Sequence, residues 1–222
     1  MKDESQNGFR DPTTLTKWTK WFLYAQIAVT LVAISSDLLE YQLFSDFKSG
    51  VYASREAAVA AAAASDSRQA VVAIIQFATF IVAGILILKW IHRANYNARQ
   101  LGATDMTFTP GWSIGWYFIP VASLWKPYQA MKEIWKASSN PQDWKDEPVS
   151  SLLPWWWFLW IVSGTLGPVS SRLTLSAQTV DAFTVANVFD QVSNAAVVAL
   201  TLLMAAIVRR IQSMQMARVG TE

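Results

Sequence analysis

The sequence predicts an all-α integral membrane protein, with four transmembrane helices and a Pro- and Trp-rich re-entrant or interfacial helical insert between helices two and three. Three observations predict it. The 222 residues are 53% hydrophobic and only 15% charged, against roughly 25% charged for an average soluble domain. Four uncharged stretches, 21–36, 69–88, 149–171 and 191–208, approach or reach the roughly 20 apolar residues that cross a bilayer as a helix. Between the second and third lies FTPGWSIGWYFIPVASLWKPYQAMKEIW, residues 108–135, with three prolines, two glycines and four tryptophans. Proline inside a helix removes a donor and clashes with the preceding turn, so this segment is not expected to cross lipid as one helix.

Each element follows from local chemistry. Asp11-Pro12 supplies an N-cap and a first-turn proline, so helix one should start in the cytoplasm and run to about Phe44. Its uncharged run is short, but Lys17 and Lys20 can extend to the headgroups and lengthen the span. The polar, acidic start is unlike a cleaved signal peptide, so this helix is expected to be retained. AAVAAAAAS, residues 57–65, is strong helix former and gives an outer Ala-rich helix over about 54–66 that extends helix two. Ser150, Ser151 and Pro154 mark the start of helix three, which GTLGP at 164–168 should kink or end. Helix four should run from about Phe183 into Arg209-Arg210. The spans are placed at about 18–40, 69–91, 152–172 and 187–209 in a single membrane domain over 1–222, with the insert at 108–137.

Charge decides whether the insert crosses. If it does not, and the N-terminus is cytoplasmic, 14 basic residues lie inside (Lys2 among them) and four outside: Lys48, Arg55, Arg68 and Arg172. If it crosses, the split is 8 to 10. The positive-inside rule favours the first. In that arrangement all 12 tryptophans fall near the cytoplasmic interface, the zone that indole prefers. Residues 106–125 are 20 uncharged residues, so length alone leaves crossing open. After the bend, Leu124, Tyr128, Met131 and Trp135 share one helical stripe, with Gln129, Lys132, Glu133 and Lys136 on the rest. Such a helix lies in the membrane plane.

HRANYNARQLG at 92–102 and PGWSIGWYFIPVASLWKPYQAMKEIWKAS at 110–138 resemble the hallmark of an uncharacterised bacterial membrane-protein family, domain of unknown function 4328. The resemblance covers roughly 18–211 and is most specific over 93–138. It implies a multi-span bacterial membrane protein and no activity; the charge count adds an inner-membrane orientation with both termini cytoplasmic.

Three groups of residues are candidates for function. Toward the outer side, Gln26, Thr30, Asp37 and Glu40 share one broad face of helix one, and Asn187, Asp190, Gln191 and Asn194 repeat the pattern on helix four, with Gln76 and Thr79 on helix two. Polar side chains in a bundle often mark ion or solute paths, and carboxylates favour cations. The plain alternative pairs Asp37, Glu40 and Asp190 with Arg68 or Arg172 in the headgroup zone, and leaves the amides to ordinary interhelical bonds. On the cytoplasmic side, Arg93, Asn95, Asn97, Arg99 and Lys126 lie beside His92 and the insert tryptophans Trp112, Trp116 and Trp125. Guanidinium and indole together suit an anionic lipid or nucleotide-like ligand. Basic residues at this boundary equally serve only to orient the chain. The insert itself, 110–127, reads either as a gate or pocket wall or as a packing element.

The chain has no Cys and one His, which removes disulfides and most metal and thiol chemistry. No GxSxG, HExxH, P-loop or dinucleotide turn occurs. Asp37 and Asp190 are the one conceivable intramembrane catalytic pair, and both lie near the surface. No enzyme activity and no cofactor are therefore expected. The net charge of +2 is too small to suggest nucleic acid. Membrane lipids are the expected partners, with self-association into a homo-oligomer because four short helices enclose little volume. The leading expectation is a non-enzymatic protein binding a lipid, ligand or partner through the aromatic insert; the rival is a cation channel or small-solute transporter built on the outer acidic and amide cluster.

Overall fold

A computed structural model of the protein describes residues 8–219. Lys2, which enters the charge balance, lies outside them. The described residues hold helices and turns and no strand: α1 (Thr13–Ser49), α2 (Arg55–Gln100), the single turn α3 (Trp112–Gly115), α4 (Lys126–Ser139), α5 (Leu152–Ser176) and α6 (Val180–Val219). Four of these, α1, α2, α5 and α6, are long and apolar enough to cross a membrane. The protein is a multi-pass membrane protein. Only 6% of the most apolar stretch of α2 is buried. Ile74, Phe77 and Phe80 stand exposed along it, a face that lipid rather than water would cover.

The ends of the helices are written in the sequence. Asp11 Oδ1 accepts the Thr13 N–H at 2.8 Å and so caps α1. That contact, first through the Thr13 hydroxyl and then through its amide, holds the Asp11 carboxyl below its ordinary value. Gly50 (φ +66°) and Gly102 (φ +101°) terminate α1 and α2 in the left-handed conformation. The Val51 and Ala103 amides then reach back to the carbonyls of Asp46 and Ala98, satisfying last-turn acceptors.

The packing separates into two compact units. One comprises the chain up to Leu23, Val82–Trp157 and the chain from Leu203 on. Its core is apolar and large: Trp90, Ile91, Ile134, Leu153, Ile207 and Ile211 are at most 1% exposed. Ala94, Ala98 and Ala137 are buried among them and let helix backbones approach. Eleven of the 12 tryptophans fall in this unit; Trp160 does not.

The other unit comprises Tyr24–Ile81 and Phe158–Leu202. Its interior is of another kind. The only buried apolar residues there are Ala33 and Ala186, whereas Gln26, Thr30, Ser36, Asp37, Ser65 and Asn187 are among the buried polar ones. Lipid tails are as apolar as Leu, so helices in a bilayer gain little by burying Leu against Leu and are held by polar bonds instead.

Several details depart from the sequence reading. α1 continues to Ser49, past Phe44, and α6 begins at Val180, before Phe183. The Ala-rich stretch does extend helix two, as expected: it forms the first turns of a 46-residue α2. GTLGP does not end α5: Pro168 lies inside a helix that continues to Ser176. Proline there forgoes the bond to the Gly164 carbonyl, one bond in a helix of 25 residues. In the insert, Leu124 belongs to a short 3-10 turn before α4 and is exposed. Met131 and Trp135 of the expected stripe are buried, and the buried face of α4 also takes in Pro127, Ala130, Ile134, Ala137 and Glu133. No element between Gln100 and Leu152 exceeds the 14 residues of α4, about 21 Å of helix.

Candidate functional site

The basic and amide residues beside the insert bind the chain's own backbone. Asn97, fully buried, accepts the Arg10 N–H at 3.1 Å and donates to the Arg10 carbonyl at 2.8 Å, imitating a backbone pair. Arg93 donates to the Asp11 carbonyl. Arg99 donates to the carbonyls of Met106 and Phe108 at 2.8 and 3.0 Å and to Asn95 Oδ1. Asn95 adds a bond to the Phe108 carbonyl at 2.9 Å. Asn97 and Arg99, read from the sequence as facing a ligand, are here engaged with the chain's own carbonyls. A loop leaving a helix carries carbonyls that must find donors once buried, and these side chains supply them.

Glu133 completes the clamp from the opposite polarity. Its carboxylate accepts the amides of Thr107 and Phe108 at 2.7 and 2.9 Å while itself only 6% exposed. Residues 106–108 are thus held by donors on α2 and an acceptor on α4. Gln215, also buried, ties α6 into this unit through the Ala94 carbonyl and Ser138 Oγ. Neither Glu133 nor Gln215 stands out in the sequence.

The insert tryptophans sit at the surface of this framework. Trp112 and Trp116 pack with ring centroids 4.8 Å apart, and Lys126 lies over Trp116 and Phe108 at 5.6 and 5.7 Å. Trp112, Phe118, Val121 and Trp125 are exposed. The insert presents an apolar tip, and Lys126 is engaged by rings.

The second unit gathers the other predicted residues. Asp37 accepts from Asn194 Nδ2 at 2.9 Å and from Gln69 Nε2 at 3.3 Å. Asn194 Oδ1 in turn accepts from Gln76 at 2.9 Å. Asn187 donates to Glu40 Oε2 at 2.8 Å and to the Asp37 carbonyl at 3.0 Å, and it accepts from Gln191 at 2.7 Å. Asp190 receives the Ser170 hydroxyl at 2.9 Å. Arg68 does not pair with these acids; it donates to Ser36 and Ser65. Amides and hydroxyls solvate the carboxylates, because a buried charge needs donors and these helices supply them at helical spacing.

Asp37, Glu40 and Asp190, with Asp66, line a cavity of about 640 Å³. Gln76 and Asn194 line it too, and Gln69, whose part in the Asp37 network the sequence did not reveal. Phe44 and Phe183, stacked at 5.9 Å, and Phe47 form an aromatic wall. No Lys or Arg is among its lining residues. Among the described residues no group of His, Asp and Glu is placed to hold a metal ion. The chemistry on offer is carboxylate, amide and ring face, which suits an organic cation.

Residues 53–213 match the sequence model of a family described as "Domain of unknown function (DUF4328)". No curated protein and no solved structure matches the chain.

Proposed function

This chain belongs to the DUF4328 family, and from that premise and the geometry above we propose that it is a non-enzymatic membrane protein that binds a small organic cation, an amine above all, in the cavity of Asp37, Glu40 and Asp190. One observation carries this reading: four carboxylates line a 640 Å³ space into which no basic side chain reaches. That volume lies in the roughly 300–1,000 Å³ range of small-molecule pockets. Low-dielectric walls of one sign of charge concentrate cations. The amide network fixes Asp37 and Glu40 in place without neutralising them.

The 14 to 4 division of basic residues supports both termini facing the cytoplasm of a bacterial inner membrane, with the cavity opening outward. The exposed tip of the insert then rests in the inner leaflet without crossing it. A second reading is passage of the cation rather than retention. It draws on Gln26 Oε1 and Ser163 Oγ, buried in the same unit without hydrogen-bond partners, acceptors of the kind a moving cation requires.

Binding is tested with n-alkylamines of increasing length added to the protein in nanodiscs, read by calorimetry and thermal shift. The expected result is saturable binding of amines, none of the matching alcohols, and loss in the Glu40→Gln, Asp190→Asn double variant. Equal binding by that variant, or no binding of any amine, would overturn the reading. A cation current in liposomes that Asp190→Asn abolishes would favour passage.

A further inference from the structure

A second cavity, of about 530 Å³, lies wholly within the tryptophan-rich unit. Trp135, Val149 and Met214 give it an apolar wall, and Arg210, Ser150 and Ser213 bring polar groups to the same space. No hydrogen bond or ion pair engages Arg210 among the described residues, whereas Arg93, Arg99 and Lys136 are all committed to carbonyls. Ser150 Oγ accepts the Leu152 amide at 3.3 Å, which leaves its hydroxyl proton to donate elsewhere. Ser139, also in the lining, is spent on Glu147 at 2.9 Å; that carboxylate is the negative group an incoming anion must avoid.

We propose that this cavity seats the phosphodiester headgroup of an anionic phospholipid from the adjoining leaflet. Arg210 takes the phosphate oxygens, the Ser150 and Ser213 hydroxyls donate beside it, and the glycerol and first methylenes lie against Trp135 and Met214. Two features, depth and an apolar wall, favour a lipid over a wholly soluble anion, and a third favours phosphate in either. Arg210 stands at the end of the apolar run of α6, 191–208, where headgroups lie. Its guanidinium offers paired donors in the fork geometry that phosphate matches. The wall is apolar rather than polar, as in basic pockets between membrane helices that hold anionic headgroups. Arg209, next in the chain and also exposed, does not line the cavity and serves as its internal control.

The test is native mass spectrometry and lipid competition on the full chain, with phosphatidylglycerol, phosphatidylcholine and inorganic phosphate as probes. Wild type should retain phosphatidylglycerol over phosphatidylcholine by about tenfold, the scale of one charge-assisted contact. Arg210→Gln should erase that preference and Arg209→Gln should keep it. Ser213→Phe, at an exposed position, should fill the space and block binding with every charge in place. Equal retention of the two lipids by wild type, or an unchanged preference in Arg210→Gln or Ser213→Phe, would overturn the assignment. Displacement of phosphatidylglycerol by millimolar inorganic phosphate would also overturn it, in favour of a soluble phosphate compound.

Discussion

Glu133 shows how a residue's chemistry can be plain while its role is hidden. On a helical wheel it falls beside Gln129, Lys132 and Lys136, and a carboxylate there reads as solvated. Its partners are two backbone amides 25 and 26 residues upstream, and amides carry no side-chain signature. Glu133→Gln leaves one of those donors unpaired in a buried place, which costs about 1–3 kcal/mol. The variant should melt earlier in detergent than wild type, and identical melting would show that the clamp contributes nothing. Asn97 and Arg99 are the reverse case. Their clustering beside the insert was legible, but the same donors serve a ligand phosphate or a loop carbonyl equally well, and the carbonyls of Arg10, Met106 and Phe108 that they meet carry no mark in the sequence. Asp37, Asp190 and Asn194 were legible as a group because helical spacing fixes a common face. That they meet amides rather than Arg68 depends on how helices rotate against one another, which spacing does not specify.

The elements were readable where a local rule acts alone. Asp11 and Gly50 mark the limits of α1 through a cap and a left-handed turn, whereas Pro168 failed as a stop because a helix held by its neighbours outlasts one missing bond. Two predictions belong here. The Asp11 carboxyl lies below its ordinary value of 3.8, chiefly through the Thr13 hydroxyl. A depressed carboxyl contributes above its ordinary value and ceases to as pH falls through the folded one. Asp11→Ala should therefore speed exchange of the Thr13 amide at about pH 6, and the difference should shrink as pH falls through the folded value; no difference at about pH 6 would contradict the cap. The insert reverses at Val121, where φ is +67° and ψ −57° and the Ala122 amide bonds the Pro120 carbonyl at 2.7 Å. That is a γ-turn of the strained, positive-φ kind, and a β-branched residue is poorly suited to it. Val121→Gly should raise the melting temperature of the insert, followed by tryptophan fluorescence, since the left-handed penalty of about 1–2 kcal/mol exceeds the entropy glycine adds. A lowered melting temperature would mean that Val121 is anchored by what surrounds it.

At the scale of the molecule, the two units have interiors of different kinds. The tryptophan-rich unit has a packed apolar core, and a core of that kind gains stability where water is the alternative. The other unit has buried amides and carboxylates, and those hold helices together where lipid is the alternative. Four helices are long and apolar enough to cross a membrane, and none between Gln100 and Leu152 exceeds 14 residues. An even number returns the chain to the side from which it started. The protein contains no cysteine, so single cysteines report without background. Ala63 in α2 and Asp143 after α4 are both exposed, which makes labelling a matter of side rather than burial; Ser138 would be a poor reporter because it is fully buried. In intact cells Ala63→Cys should react with an impermeant maleimide, and Asp143→Cys and Arg218→Cys should react only after permeabilisation. Labelling of Arg218→Cys in intact cells with Asp143→Cys protected would put a fifth crossing after the insert. Labelling of Asp143→Cys with Ala63→Cys protected would instead invert the protein, and the carboxylate cavity would then draw its cation from the cytoplasm.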